Sequence, residues 1–147
     1  MSNIVYRIWY PRKVTAGDEY PYYIAYIGRT RQNLTARLRG HVFGKPMHKP
    51  VEIDTCTKID YTQHETVADM YVHEVILINH FKPPLKAEDK ADDEITVIPW
   101  APYEWRNGTL IYQWQEGEVG FHWKEWKNDK LVAKWQEELS YKAGGRR

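Results

Sequence analysis

The chain of 147 residues has a single cysteine, Cys56, and no apolar stretch long enough to cross a membrane. One cysteine excludes an intrachain disulfide and is typical of a protein from the reducing cytoplasm. A spanning helix needs about 20 apolar residues in a row. The N-terminus also lacks the basic flank and apolar stretch of a signal peptide. We therefore expect a cytoplasmic protein with no membrane partner.

Several motifs of catalysis and cofactor binding are missing as well. The chain contains neither type of glycine-rich loop that holds phosphates or dinucleotides, and it has no serine nucleophile elbow. Its histidines show no paired spacing with a cysteine, which disfavours a zinc site. The sequence therefore predicts no organic cofactor.

Net charge is also scarce, because 21 basic and 20 acidic residues leave a formal charge of +1. A near-zero charge gives no global argument for nucleic-acid binding, so any such argument depends on local charge. The composition, with 42% hydrophobic and 14% aromatic residues, is that of one folded domain with a substantial core.

Hydrophobic periodicity predicts the order of elements in the first part of the chain. Strands are expected over residues 3–10, 22–28 and 51–61, with helices beginning after Asn33 and over residues 65–81. In the second helix Thr66 and Asp69 have the spacing of a capping box. The resulting ββαβα order predicts an α+β fold, with a small three-stranded, mostly antiparallel sheet flanked by helices.

The rest of the chain has a different composition, since six of the seven tryptophans lie from Trp100 onward. Strands are expected over residues 94–100 and 109–114, with a turn at Asn107-Gly108 and a helix over 129–141. We interpret residues 1–92 as a core and residues 93–147 as a Trp-rich hairpin and helix packed on it. The aromatic side chains could instead stack on unpaired bases or form a dimer interface, so monomer and homodimer both stay open.

Local positive charge is concentrated in residues 25–41, "AYIGRTRQNLTARLRGH". Its arginines are Arg29, Arg31, Arg37 and Arg39, and no acidic residue accompanies them. On a helix that begins at Asn33, Arg37 and His41 share one face. A guanidinium suits phosphate, and a nearby histidine can take or give a proton. The alternative is a solvated basic helix face.

One carboxylate, Glu74, lies at the centre of the helix over residues 65–81. That helix is apolar nearly all round, which predicts packing on most sides. A buried carboxylate requires an arginine, a metal or a cleft. Mg²⁺ is usually held by one or two carboxylates, water and substrate oxygens. Together with the arginines, Glu74 indicates a metal and phosphate site. The alternatives are a position on a narrow solvated stripe of the helix or a structural ion pair.

These segments, in this order, resemble the GIY-YIG nuclease domain over roughly residues 3 to 90. "IVY" at 4–6 and "YIG" at 26–28 match its two signatures, and "NLTARLRGH" at 33–41 is similar to its arginine and histidine helix. "HEVILINHFKPPLK" at 73–86 is similar to its glutamate helix. "YIG" alone is a weak match, whereas the ordered set is specific.

The resemblance implies an endonuclease that hydrolyses duplex or branched DNA with one Mg²⁺ or Mn²⁺ ion. It gives Tyr6 the role of general base or water-orienting group, with Tyr26 lining the same cleft. It also implies that Arg37 stabilises charge on the scissile phosphate, that His41 accepts a proton, and that Glu74 binds the metal. The expected contacts to the substrate backbone are Arg29, Arg31, Arg39 and Lys86.

The chain departs from the family pattern at Lys86, where the family usually has an asparagine that helps to organise the site. A lysine still contacts phosphate as a point charge. The substitution equally fits a second hypothesis, a catalytically weak or silent nucleic-acid-binding or inhibitory module on the same fold. Ile4 in place of the first glycine and the long segment between Tyr6 and Tyr26 are milder departures.

Overall fold

A computed structural model describes residues 3–12, 21–44, 52–54, 57–85, 90–93, 104–106, 109–110 and 123–144. The strands are β1 (Asn3–Pro11), β2 (Tyr22–Thr30), β3 (Lys58–His64), β4 (Glu104–Arg106), β5 (Thr109–Leu110) and β6 (Lys124–Trp126). The helices are α1 (Leu34–Phe43), α2 (Val67–Phe81) and α3 (Asp129–Gly144).

Four strands form one open antiparallel sheet in the order β2-β1-β3-β6, and β4 pairs with β5. The α+β prediction is confirmed, and the first five elements have the predicted ββαβα order. The expected three-stranded sheet is wrong, because β6 adds a fourth strand by pairing with β3, with Trp126 opposite Ile59. The sequence pattern missed β6 because only three residues form it.

Helices cover both faces of the sheet and define two buried clusters. The cluster on the side of α1 and α3 includes Tyr6, Ile8, Tyr26, Leu34, Leu38, Ile59, Val132 and Trp135. The cluster on the side of α2 includes Val5, Ile24, Ile27, Met70, Leu77 and Ile78. Successive residues of a strand point to opposite faces, so Tyr6 and its neighbours Val5 and Arg7 face different helices.

The predicted helix starts are confirmed by their caps. The Asn33 side chain accepts a hydrogen bond from the Ala36 amide at 3.2 Å, and Thr66 accepts one from the Asp69 amide at 3.0 Å. Helix α1 ends at Phe43, and its cap Gly44 has a φ of 65°, the left-handed conformation that glycine adopts readily. The last turn of the helix carries His41, which is completely buried.

Strand β3 begins at Lys58 and ends at His64, so the strand predicted over residues 51–61 is shifted. The apolar alternation seen in the sequence reaches Ile59 and Tyr61, which face α1 and α3. The other face of β3 is buried too, through Asp60, Thr62 and His64. Polar residues on that face carry no hydrophobic pattern, which is why the sequence placed the end of the strand too early.

Helix α2 is less enclosed than its composition predicts. It packs on the sheet through Met70, Leu77 and Ile78, the spacing of a single helix face. Tyr71, Val72 and Val75 remain 40–44% exposed. The expectation of packing on most sides is therefore wrong, because the sheet covers only one side of this helix.

Trp126 and Trp135, in the C-terminal region, pack against the cluster on the side of α1 and α3. Trp126 and Trp135 stack with ring planes 8° apart, and Trp126 Nε1 donates a hydrogen bond to Thr35 Oγ1 on α1 at 3.0 Å. The expected strand over 94–100 lies outside the described residues, and the boundary near residue 92 stays a prediction. No helix in the described ranges is both long and apolar enough to span a membrane.

Candidate active site

Tyr6, on the central part of β1, lies at the middle of a buried hydrogen-bonded cluster. Its hydroxyl is 2.7 Å from His41 Nε2, and Arg37 Nε donates to the same oxygen at 3.2 Å. The Tyr26 ring lies edge-on to His41 with centroids 4.9 Å apart. The structure thus brings together four of the five residues predicted to act in catalysis.

The cluster forms because α1 presents Arg37 and His41 on one face, one helical turn apart. Leu34 and Leu38 anchor the helix to the sheet, and Leu38 is completely buried. His41 is also completely buried, whereas Arg37 is half-buried. The guanidinium therefore lies at the boundary between the cluster and solvent, where a phosphate could reach it.

Gly28 provides the space that the Tyr6 side chain needs. It lies directly opposite Tyr6 in the β1–β2 register. A Cβ atom at position 28 would lie 2.6 Å from the Tyr6 hydroxyl oxygen and 2.8 Å from Tyr26 Cε2. Both distances are well inside van der Waals contact. The glycine of "YIG" is thus required by close approach of two tyrosine rings rather than by its backbone conformation.

Tyr6 is neutral in this environment. Burial, and after it the neighbouring Tyr26, raises the pKa of the Tyr6 hydroxyl far above its usual value, and Arg37 opposes this shift only in part. Since Arg37 donates to the phenolic oxygen, the phenolic proton is available to His41 Nε2, which accepts it when the histidine carries its own proton on Nδ1. Loss of the Tyr6 proton therefore requires an acceptor close by.

Glu74, the fifth predicted catalytic residue, is completely buried at the centre of α2. Its Oε1 accepts a hydrogen bond from Arg29 Nη1 in an ion pair. The Arg29 guanidinium also lies over the Tyr71 ring, 4.3 Å from the ring centroid. The structure therefore contains the ion pair that was the alternative interpretation of Glu74, and it assigns Arg29 to Glu74 rather than to open solvent.

The hydrogen-bonded cluster around Tyr6 and the ion pair of Arg29 with Glu74 lie on opposite faces of the sheet, next to adjacent residues of β2. Gly28 faces Tyr6 and α1, and the next residue, Arg29, faces α2. Among the described strands β2 lies at the end of the sheet order, so the groups are separated by a single outer strand. Glu74 is near enough for its charge to raise the pKa of Tyr6 further.

The other predicted substrate contacts have different positions. Arg31 is exposed just after β2. Arg39 meets Glu138 of α3 at 3.4 Å, with its guanidinium over the Phe43 ring. Lys86 lies outside the described residues. Arg31 therefore remains available to a ligand, whereas Arg39 belongs to the contact between α1 and α3.

The residues present fit a Mg²⁺ or Mn²⁺ ion at Glu74. In the described part of the chain, no three acidic, histidine or cysteine side chains group together as metal ligands. A hard cation bound through one carboxylate, with water and phosphate oxygens completing its shell, does not need such a group. Glu74 offers that carboxylate, and it already binds a cationic group, the guanidinium of Arg29.

A second buried polar cluster, on the α2 face, was missed by sequence reasoning. Arg7 binds Asp60 through Nε at 2.8 Å and Nη2 at 2.5 Å, and Trp9 Nε1 donates to Asp60 at 3.0 Å. The Arg7 guanidinium lies 3.5 Å from the centroid of the Trp123 ring. The signal in the sequence was the alternation of Asp60, Thr62 and His64, which marks a strand face with polar residues.

His64 and His73 complete this cluster with a hydrogen bond of 2.8 Å between His64 Nε2 and His73 Nδ1. One ring must donate and the other accept, so the pair cannot carry a proton on both of these nitrogens. Burial, then the neighbouring His64 and Arg7, lowers the pKa of His73 well below its usual value of 6.5. His73 is therefore neutral in the folded protein.

The free energy of unfolding should fall as the pH drops below about 6.5, because unfolded His73 takes up a proton that the folded protein excludes. One such group contributes up to about 1.4 kcal/mol per pH unit. Urea titrations between about pH 7 and pH 5 should show a shallower decline for His73→Gln. The exposed His80 on the same helix provides the control, and an equal decline in His73→Gln and wild type would contradict this origin.

Comparison with protein-family models, with curated proteins and with solved structures gives no match in any of the three.

Proposed function

We propose that the protein is a metal-dependent endonuclease of the GIY-YIG type that hydrolyses DNA phosphodiester bonds. The observation that carries this proposal is the hydrogen-bonded cluster of Tyr6, His41 and Arg37, with Gly28 making room for it. These are the residues on which the sequence resemblance rests. Tyr6 and Gly28 lie on two strands and the other two residues on α1, so tertiary packing is needed to bring the three elements together.

The chemistry proposed for the cluster is attack of a water molecule on the scissile phosphorus. Tyr6 orients the water and receives its proton as the phenolic proton passes to His41 Nε2. The new P–O bond forms from the water oxygen, and the bond to the leaving oxygen breaks, with a proton from solvent neutralising the leaving group. Arg37 stabilises the negative charge that builds on the phosphate oxygens.

A Mg²⁺ or Mn²⁺ ion held by Glu74 would supply positive charge to the phosphate and the leaving oxygen. The buried position of Glu74 strengthens this electrostatic effect, since water screens it less than it would at the surface. Arg31, exposed beyond the end of β2, would contact a neighbouring phosphate.

The experiment that tests this function is a cleavage panel of single-stranded, duplex and branched DNA and RNA, incubated with the full chain in Mn²⁺ or in EDTA. We expect strand cleavage of at least one DNA substrate in Mn²⁺ and none in EDTA. The panel also identifies the preferred substrate structure. Absence of cleavage on every substrate in Mn²⁺ would contradict the proposal.

The second candidate is a non-catalytic nucleic-acid-binding or inhibitory module on the same fold. The ion pair of Arg29 with Glu74 favours this candidate, because it gives the charge of Glu74 a structural role that needs no metal. In that case nucleic-acid affinity should fall steeply as the salt concentration rises, and no substrate of the panel should be cleaved. Metal-dependent cleavage that is lost in Glu74→Gln excludes this candidate.

A further inference from the structure

Arg29 occupies the carboxylate that a divalent cation would need. Glu74 is completely buried, and Arg29 binds its Oε1 directly. The Arg29 side chain is itself 36% exposed. The two partners therefore differ, since the glutamate is fixed inside the protein and the arginine reaches it from the solvent side.

A guanidinium and a divalent cation compete for one buried negative charge. Burying a charged carboxylate without a compensating charge is expensive, so the ion pair with Arg29 stabilises the charged form of Glu74. Arg29 contacts Oε1, and the carboxylate has a second oxygen, so a metal ion and the guanidinium would meet there as like charges that repel. Entry of a metal at Glu74 therefore weakens the contact between Arg29 and the carboxylate.

We propose that Arg29 is a positioning residue that holds Glu74 in the metal-free protein and is displaced when a divalent cation binds. The inference rests on the proposed metal role of Glu74. The Tyr71 ring gives the Arg29 guanidinium a second contact that does not depend on Glu74. Arg29 therefore loses only one of these two contacts when it leaves Glu74. Arg29 thereby sets a threshold cation concentration for activity and keeps the site assembled below it.

The direct test is Mn²⁺ binding to the full chain without nucleic acid, measured by calorimetry and by the electron paramagnetic resonance signal of free Mn²⁺. Arg29→Met removes the competing charge while keeping an apolar stem over Tyr71. We expect it to bind Mn²⁺ on the order of tenfold more tightly than wild type. Arg29→Gln keeps a hydrogen-bond donor for the buried carboxylate, and it should show the same direction if the methionine variant folds poorly.

Arg39→Met is the matched control, because Arg39 also pairs with a glutamate and lies over an aromatic ring. Its Mn²⁺ affinity should equal that of wild type. Thermal unfolding gives a second readout, in which Mn²⁺ should raise the Tm of Arg29→Met more than that of wild type.

The outcomes separate this inference from the proposed function. Tighter Mn²⁺ binding in Arg29→Met and Arg29→Gln supports displacement. Equal or weaker binding in both, with wild-type binding that disappears in Glu74→Gln, overturns displacement and leaves the metal role of Glu74 intact. Absence of Mn²⁺ binding to wild type and to both variants overturns the displacement and the metal site together.

Discussion

Arg37→Ala should lower the single-turnover rate of Mn²⁺-dependent DNA cleavage by about 10²- to 10³-fold, the usual effect of removing one donor that stabilises transition-state charge. Arg37 reaches the cluster from the half-buried edge of α1 and donates to Tyr6 through Nε. The variant loses both this contact and the positive charge next to the phosphate. Rates are to be measured with enzyme in excess, so that product release does not mask the chemical step.

The charge-matched control for this variant is Lys130→Ala, which removes one exposed positive charge from α3. It should cleave at the wild-type rate. Arg37→Lys keeps the charge but loses the planar fork, so it should recover only part of the rate. Equal rates in Arg37→Ala and Lys130→Ala would show that Arg37 contributes nothing beyond bulk charge.

Tyr6→Phe should lower the cleavage rate by about 10²- to 10⁴-fold, the range for loss of a general acid or base. The ring still fills the space between Gly28 and Tyr26, so the core stays packed. The substitution removes the shared partner of His41 and Arg37, and it should cost about 1–3 kcal/mol in unfolding free energy. Cleavage kinetics and urea unfolding together separate the two effects.

Tyr10→Phe is the control for Tyr6→Phe, because it removes a hydroxyl from the same strand. The Tyr10 hydroxyl accepts a hydrogen bond from the Glu52 amide at 2.7 Å, so its loss also affects stability. Cleavage by Tyr10→Phe should equal that of wild type. If Tyr6→Phe loses stability but cleaves as fast as Tyr10→Phe, the Tyr6 hydroxyl has only a structural role.

The parts of the fold that were predicted correctly are those that depend on residues close together in the sequence. The caps at Asn33 and Thr66 fixed the starts of α1 and α2, because a capping side chain acts within four residues of sequence. The spacing of Arg37 and His41 likewise fixed their common face. Strand β6 could not be found this way, since its three residues become a strand only by pairing with β3.

The partners of buried charges were not predictable from the sequence. Arg29 and Glu74 are 45 positions apart, and Arg7 and Asp60 are 53 apart. Nothing local to Arg29 distinguishes it from Arg31 or Arg39, because its direction depends on which face of β2 it occupies relative to α2. The sequence therefore distinguished only Arg37, by its spacing to His41, and the tertiary structure separates Arg29, which pairs with Glu74, from Arg39, which meets Glu138.

The most direct test of one shared active site is the rate of plasmid nicking by wild type and Glu74→Gln in Mn²⁺ and in EDTA. Glutamine keeps the shape of the side chain and removes the charge that would hold the ion. We expect nicking only by wild type in Mn²⁺, with Glu137→Gln, an exposed change on α3, as active as wild type. Nicking by Glu74→Gln at the wild-type rate, or by wild type in EDTA, would contradict a metal-dependent site at Glu74.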